Sequence, residues 1–337
     1  MNKVFRSIVY ASILILFVGF YGCSSKSNDT IGLLLHDMEG RWFTDLEYLQ
    51  KHASDAGVKL IVKVADGNEK KQLEQAQELV REGVGVMLVV AVNQNTAAGI
   101  VRTAHKSNLE VIAYDRIIMN SELDYFISYD YQKLGAMLVE YAYKKVPRGN
   151  YVLLYGGSTD NNAQMMKLGQ ENFLAPFIEN GDINAVYRTY TENWDEKNAA
   201  ERLARVLDFT TEPIDAVIAS NDNIAIAALE VFDQKNVKQP KVITGQDAII
   251  EACQSIMNDK QTMTVYKSTN SMAREAISLA VDVMKKQKST RDFGQTFNGR
   301  HNVPTLYLEP QVVDKSNLIE IITGDGMYTM SEIMDQE

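Results

Sequence analysis

Polar side chains follow several short apolar runs of the sequence, at the points where predicted strands end. The pattern occurs at Asp115-Arg116, at Asn221-Asp222 and at Gln246-Asp247. Carboxylates accept hydrogen bonds, arginine donates them in a rigid fork, and amides do both. A ligand rich in hydroxyl groups needs a donor and an acceptor at each position, so these residue types fit a sugar.

Further residues of the same kind follow other predicted strands. Asp160-Asn161-Asn162 precedes a helical stretch, so one of the three is expected to cap the helix while the others point into a cleft. Lys267 follows another apolar run. The two tryptophans, Trp42 and Trp194, stand in polar surroundings after strand ends, where two rings facing across a cleft would stack on the apolar faces of a sugar.

Catalysis fits these residues poorly. A glycosidase needs a carboxylic acid with a raised pKa, whereas Asp115 is expected to pair with Arg116 and Asp247 with Lys267, which would keep both acids ionised. The four histidines show no metal-binding spacing, and Gly156-Gly157 lacks the Lys-Ser or Lys-Thr of a phosphate loop. We therefore predict no enzyme activity, no metal and no cofactor.

The elements that position these residues alternate between β-branched runs and amphipathic stretches from residue 30 to residue 286. Continuous apolar runs such as 86–90 are typical of strands buried on both faces. Because every predicted crossover is helical, the sequence predicts parallel, doubly wound α/β sheets, whose ligands bind beyond the carboxyl ends of the strands.

The length and net charge of the chain further limit the classes of protein to which it can belong. The chain has 337 residues, 45% of them hydrophobic, which suits two lobes better than one. Its formal net charge of -10 repels phosphate backbones, so nucleic acid is not an expected partner. A repressor-type regulator would need a helix-turn-helix before the first strand, where only a signal-like segment stands.

Residues 1–22 have the outline of an export signal. Lys3 and Arg6 precede the apolar run Ile8–Phe20, which is shorter than the ~20 residues of a membrane span. The segment resembles a bacterial lipoprotein signal, which implies that Cys23 becomes the lipid-modified first residue of a tether, 23–29, at the cell envelope. Cys253 is then the remaining thiol and is expected to be a small buried residue.

Five sequence blocks resemble one known family, the periplasmic sugar-binding proteins of the ribose type, and within it the D-xylose-binding proteins. The resemblance covers about 300 residues. The blocks are Ala113-Tyr114-Asp115-Arg116, Asp160-Asn161-Asn162-Ala163, Ala219-Ser220-Asn221-Asp222, Gly245-Gln246-Asp247-Ala248 and Gln261-Thr262-Met263-Thr264-Val265-Tyr266-Lys267.

The resemblance implies two lobes, joined by a three-strand hinge, that close on one monosaccharide, with D-xylose expected first. The N-terminal lobe would comprise 30–131 and 268–298, and the C-terminal lobe 132–267 and 299–330, with the third crossing near Gly294–His301. The implied ligand contacts are Arg41, Trp42, Asp115, Arg116, Asp160, Asn162, Trp194, Asn221, Asp247 and Lys267.

The loops at Met38–Gly40 and at Ser158-Thr159 depart from the family's pattern, which bears on the choice among pentoses and hexoses. The expected partner is the membrane permease of an ATP-driven importer. The protein itself is expected to be a monomer. A sensor subunit that presents sugar to a chemoreceptor or sensor kinase would use the same closed form and stays an alternative.

Overall fold

The computed structural model describes residues 29–38 and 41–335, which form two α/β lobes. The predicted signal segment, Cys23 and most of the tether lie outside the described residues. The predicted fold class is confirmed, with antiparallel strands added at one edge of each otherwise parallel sheet.

The first lobe contains a seven-stranded sheet in the order β11-β12-β5-β4-β3-β1-β2. All neighbouring pairs are parallel except β11 with β12. The strands are β1 Thr30–Leu35, β2 Lys59–Val64, β3 Val86–Val89, β4 Val111–Tyr114, β5 Tyr125–Tyr129, β11 Gly294–Phe297 and β12 Asn302–Leu308.

The second lobe contains a six-stranded sheet in the order β13-β10-β9-β8-β6-β7, in which β13 runs antiparallel to β10. Its strands are β6 Gly149–Tyr155, β7 Ile183–Tyr190, β8 Ala216–Ala219, β9 Val242–Gln246, β10 Met263–Tyr266 and β13 Gln311–Asp314.

Helices cover both sheets. They are α1 Trp42–Asp55, α2 Glu69–Glu82, α3 Ala98–His105, α4 Tyr131–Lys145, α5 Asn161–Glu179, α6 Glu196–Phe209, α7 Asp222–Gln234, α8 Ile250–Met257, α9 Thr269–Met284, α10 Leu318–Gly324 and α11 Met330–Met334. A 3-10 turn, Glu192–Trp194, precedes α6. Within the described ranges, no helix is long and apolar enough to cross a membrane.

Successive side chains of a strand point to opposite faces of the sheet, so a continuous apolar strand packs into the core on both faces. In β1, Leu33 and Leu35 pack into one apolar cluster and Leu34 into another on the opposite face. Cys253 lies fully buried in α8, as the sequence predicted.

The chain passes between the sheets three times. It leaves the first sheet after Tyr129, where Asp130 caps α4, and returns through Lys267 and Ser268 into α9, which packs on α1. The third passage follows β12, at Glu309-Pro310.

The prediction that 299–330 belongs wholly to the C-terminal lobe, with the third crossing near Gly294–His301, is therefore wrong. Residues 302–308 pair in parallel with β5 of the first sheet. The segment 294–301 instead forms β11 and the turn of a hairpin, so the chain stays at the edge of the first lobe there.

Candidate ligand-binding cleft

The carboxyl ends of the strands of both sheets meet at a cavity of about 480 Å³, which we call the inner cavity. It lies between the lobes, where the fold places ligand sites. All ten residues predicted from the sequence line it: Arg41, Trp42, Asp115, Arg116, Asp160, Asn162, Trp194, Asn221, Asp247 and Lys267.

A buried charge network forms the wall contributed by the first lobe. Arg41 precedes α1, and its guanidinium lies 2.8 Å from the carboxylate of Asp115 and 3.5 Å from that of Asp45. Asp45 in turn accepts a 2.5 Å hydrogen bond from the hydroxyl of Tyr114. Arg41 is thus held from two sides before any ligand arrives.

The predicted pairing of Asp115 with Arg116 is wrong, because Arg41 takes that place. Asp115 has a φ of 63°, a left-handed conformation that turns the chain sharply between the two neighbours. The Arg116 guanidinium has no ion pair or hydrogen bond among the described residues and lies 5.9 Å from the ring centroid of Trp42.

A second cation stands opposite, in the second lobe. The ammonium of Lys267 lies 3.0 Å from the carboxylate of Asp247, the pairing that the sequence predicted, and donates a 3.1 Å hydrogen bond to the hydroxyl of Tyr131. Tyr131 itself donates to Asp115 at 2.7 Å. This tyrosine, the first residue of α4 after the hinge, therefore connects the charged groups of the two lobes.

The two tryptophans are fixed by different neighbours. Trp42 packs edge-on against His36, with ring centroids 4.6 Å apart, and lies under the guanidinium of Arg41 at 4.4 Å. The Trp194 indole donates to Asp160 at 3.1 Å. A Cβ added at Gly156 would come within 2.3 Å of the Trp194 ring, so that glycine lets the ring lie against the backbone.

Helix caps account for part of the polar sequence. Asp160 caps α5 by accepting from the backbone N–H of Asn162, and Asn221 caps α7 by accepting from Ile224. The side chain of Asn162 donates 3.2 Å to the carbonyl of Asp115, directly across the cleft.

Asp222 does not line the cavity but is buried beneath it. Its carboxylate accepts from Gln261 at 2.7 Å, from Thr264 at 3.0 Å and from the backbone of Ile249 at 3.2 Å. Burial and the nearby Asp247 raise its pKa to about 8. Asp222 therefore supports the loop that carries Asp247 and does not line the inner cavity.

Burial and charge set the protonation states of the cavity wall. Burial opposes the ionisation of Asp115, but Arg41 and Lys267 outweigh it and lower its pKa to about 2. Burial, reinforced by Arg116, lowers the pKa of His36 to about 3. His36 is accordingly neutral near pH 7, and its 2.9 Å contact with Asp37 is a hydrogen bond donated by the imidazole.

Sequence reasoning missed some residues of the site. Tyr131 was expected near the first crossing between the lobes but was not selected as a contact, because a tyrosine at the start of a helix is usually a packing residue. Gln246, His36 and Asp37 follow predicted strands but were not selected as contacts, although all three line the inner cavity. No cluster of three or more His, Cys, Asp or Glu that could hold a metal occurs in the part of the chain that the structure describes.

Two α/β lobes with a polar cavity between the carboxyl ends of their strands, joined by three passages of chain, define a binding protein that encloses a small ligand. The chain belongs to the periplasmic binding protein family, whose domain model matches residues 31–288. It is accordingly a binding protein and not an enzyme.

The sequences of curated relatives and the fold of a solved structure support membership of this family. The chain is 32% identical to the D-xylose-binding periplasmic protein of Haemophilus influenzae, covering 96% of this chain and 98% of that protein. It is 33% identical to that of Escherichia coli, covering 90% and 92%. A carbohydrate transporter solute-binding protein from Chloroflexus aurantiacus, in complex with D-glucose, has a TM-score of 0.82 at 25% identity, covering 90% and 97%.

Proposed function

We propose that this protein binds one monosaccharide, D-xylose, in the inner cavity and delivers it to an ATP-driven importer. The observation that carries the proposal is the convergence of ten polar and aromatic side chains from both lobes on one cavity. D-xylose-binding periplasmic proteins are also among the relatives that match along almost the whole chain.

The residue types suit a neutral polyol. Carboxylates accept from sugar hydroxyls and the cations donate to them, so each hydroxyl can be satisfied in both directions. The rings of Trp42 and Trp194 cover apolar C–H faces. The proposed contacts are Arg41, Trp42, Asp115, Arg116, Asp160, Asn162, Trp194, Asn221, Asp247 and Lys267.

A ligand that contacts both lobes stabilises the closed form of the cleft. A ligand shifts a conformational equilibrium only by its difference in affinity for the two states. A sugar held by Arg116 from the first lobe and by Asp247 from the second has its full set of contacts only when the lobes are closed. The three passages of chain then act as the hinge.

The relatives and the N-terminal sequence also bear on where in the cell the protein works. The relatives named above are periplasmic, and the first residues resemble a lipoprotein signal. We propose that the protein is exported, works as a monomer at the cell envelope and is anchored through a lipid on Cys23. Mass spectrometry of the native N-terminus tests this, because a free Cys23 thiol would refute lipidation.

Isothermal titration of the purified protein with D-xylose, D-ribose, L-arabinose, D-glucose and D-galactose tests the ligand. A site with several charged contacts is expected to bind xylose one to one with a Kd on the order of micromolar or tighter. Preference for another sugar would refute xylose, and millimolar affinity for all five would refute a monosaccharide receptor.

A deletion strain tests the importer. Loss of radiolabelled xylose uptake at micromolar concentration, restored by the wild-type gene, is the expected result. Normal uptake together with a lost transcriptional or chemotactic response to xylose would favour the sensor subunit instead.

A further inference from the structure

A second cavity of about 480 Å³ adjoins the inner cavity, and we call it the outer cavity. The two share a wall that includes Asp37, Arg116, Asp160 and Trp194. The outer cavity lies beside the ends of β1, β2, β3 and β4 in one lobe and of β6 and β7 in the other. Since the hinge follows β5, β10 and β12, the outer cavity is on the side of the cleft away from the hinge.

Among the described residues, those that line the outer cavity alone are uncharged. They consist of carboxamides, a hydroxyl, glycines and aliphatic side chains: Gly67, Ala91, Val92, Asn93, Gln94, Asn95, Ile117, Gly157, Thr159 and Asn161. A charged group there would have no counter-charge from these residues. A neutral unit with hydroxyl groups and C–H faces matches both the amides and the aliphatic surface.

Several polar side chains around the outer cavity have no hydrogen-bond partner in the described part of the chain. The side-chain amides of Gln94, from the first lobe, and of Asn161 and Asn193, from the second, make no hydrogen bond with any described residue. Arg116, at the junction of the two cavities, likewise makes no ion pair or hydrogen bond with a described residue. Donors and acceptors therefore face the space from both lobes.

The backbone at the junction is held in an unfavourable conformation. Trp194 has a φ of 59°, which is rare for a bulky residue, and its neighbour Asn193 has a φ of 56°. Strain of this kind persists where the surrounding structure fixes it, as it does at functional sites. Here the bond to Asp160 and the contact with Gly156 hold the Trp194 ring where it borders both cavities.

We infer that the cleft accepts a neutral disaccharide of the sugar that fills the inner cavity, with its second unit in the outer cavity. The inference rests on the proposed function for the inner cavity. Pockets of ~300–1,000 Å³ hold drug-sized ligands. The inner cavity is already large enough for a monosaccharide, so an adjoining space of equal volume provides for a second unit.

Isothermal titration of the full chain with β-1,4-xylobiose and D-xylose tests the inference, with cellobiose and D-glucose as a second pair. One-to-one binding of a disaccharide, with a Kd within about tenfold of its monosaccharide and competition between the two, is expected. If a monosaccharide binds tightly and its disaccharide binds at least about 100-fold more weakly, the inference is wrong and the proposed function stands. If no sugar of either kind binds, the proposed function itself fails.

Variants locate the second unit. Gln94→Ala and Asn161→Ala each remove an unpaired amide that lines the outer cavity alone, so each is expected to weaken disaccharide binding roughly fivefold and to leave xylose affinity unchanged. Gln287→Ala, an exposed amide away from both cavities, is the matched control and is expected to change neither. Equal disaccharide affinity in both cavity variants and the control would place the second unit elsewhere and overturn the inference.

Discussion

Two cations of the inner cavity are held so differently that their removal should separate stability from affinity. Lys267 is almost completely buried and pairs with Asp247, whose side chain is 20% exposed. Arg116 has no hydrogen bond or ion pair among the described residues. We therefore compare Asp247→Asn with Arg116→Gln. Asparagine tolerates the φ of 100° at position 247, so the first change removes charge with little new strain.

The magnitudes follow from burial. Breaking a buried ion pair costs ~3–5 kcal/mol. Because Asp247 is partly exposed and asparagine still offers Lys267 an acceptor, we expect Asp247→Asn to lower the free energy of unfolding by about 2 kcal/mol. Arg116→Gln leaves no buried partner unpaired among the residues that the structure describes, so the free energy of unfolding should change by less than about 0.5 kcal/mol.

Affinity should fall in both variants, because each loses a charged contact to the ligand. A loss of about 2 kcal/mol corresponds to a roughly 30-fold increase in the Kd for xylose. Urea unfolding followed by circular dichroism measures stability without ligand, and isothermal titration measures affinity. The reasoning is refuted if Arg116→Gln is as destabilised as Asp247→Asn, or if neither variant changes the Kd.

Two further predictions concern the aromatic wall and the buried histidine. Gly156→Ala places a Cβ 2.3 Å from the Trp194 ring and should weaken xylose binding about tenfold or more, whereas Gly157→Ala, whose nearest contact is 3.5 Å, should not; equal titration curves would contradict this. His36 has a pKa of about 3 when folded and ~6.5 when unfolded, so the unfolded chain binds the extra proton between these values and stability falls as pH drops through that window. Urea unfolding of His36→Gln at pH 6.5 and 4.5 should show a smaller loss than wild type.

The positions of the site residues could be predicted from the sequence because, in an α/β fold, the residues that follow the buried strands all lie at one edge of the sheet. Each buried strand is a recognisable apolar run, and the residues that follow it must lie at the cleft. Asp115, Asn221 and Asp247 were found in this way, and all line the inner cavity. The strands on the hinge side of the first lobe were harder to predict from the sequence. Strand β11 is short and mostly exposed, so Gly294–Phe297 carries little apolar signal and the third crossing was misplaced.

The pairing of charges could not be predicted, because it depends on backbone conformation. Asp115 and Arg116 are adjacent in sequence, yet the left-handed backbone at Asp115 directs its carboxylate to Arg41 at the end of a different strand. Asp222 shows the same limit: a carboxylate beside a helix cap looks like a ligand contact until Gln261 and Thr264 are seen to occupy it.

The distribution of backbone strain connects the fold to the proposed affinity. Asp115, Trp194 and Asp247 all have positive φ, and all line the inner cavity. Each such conformation costs about 1–3 kcal/mol, and glycine would adopt it without strain but would remove the side chain. The free protein therefore carries the unfavourable energy of orienting these groups before a ligand arrives. A ligand then loses less free energy in ordering its site, which is how preorganisation raises affinity without adding contacts.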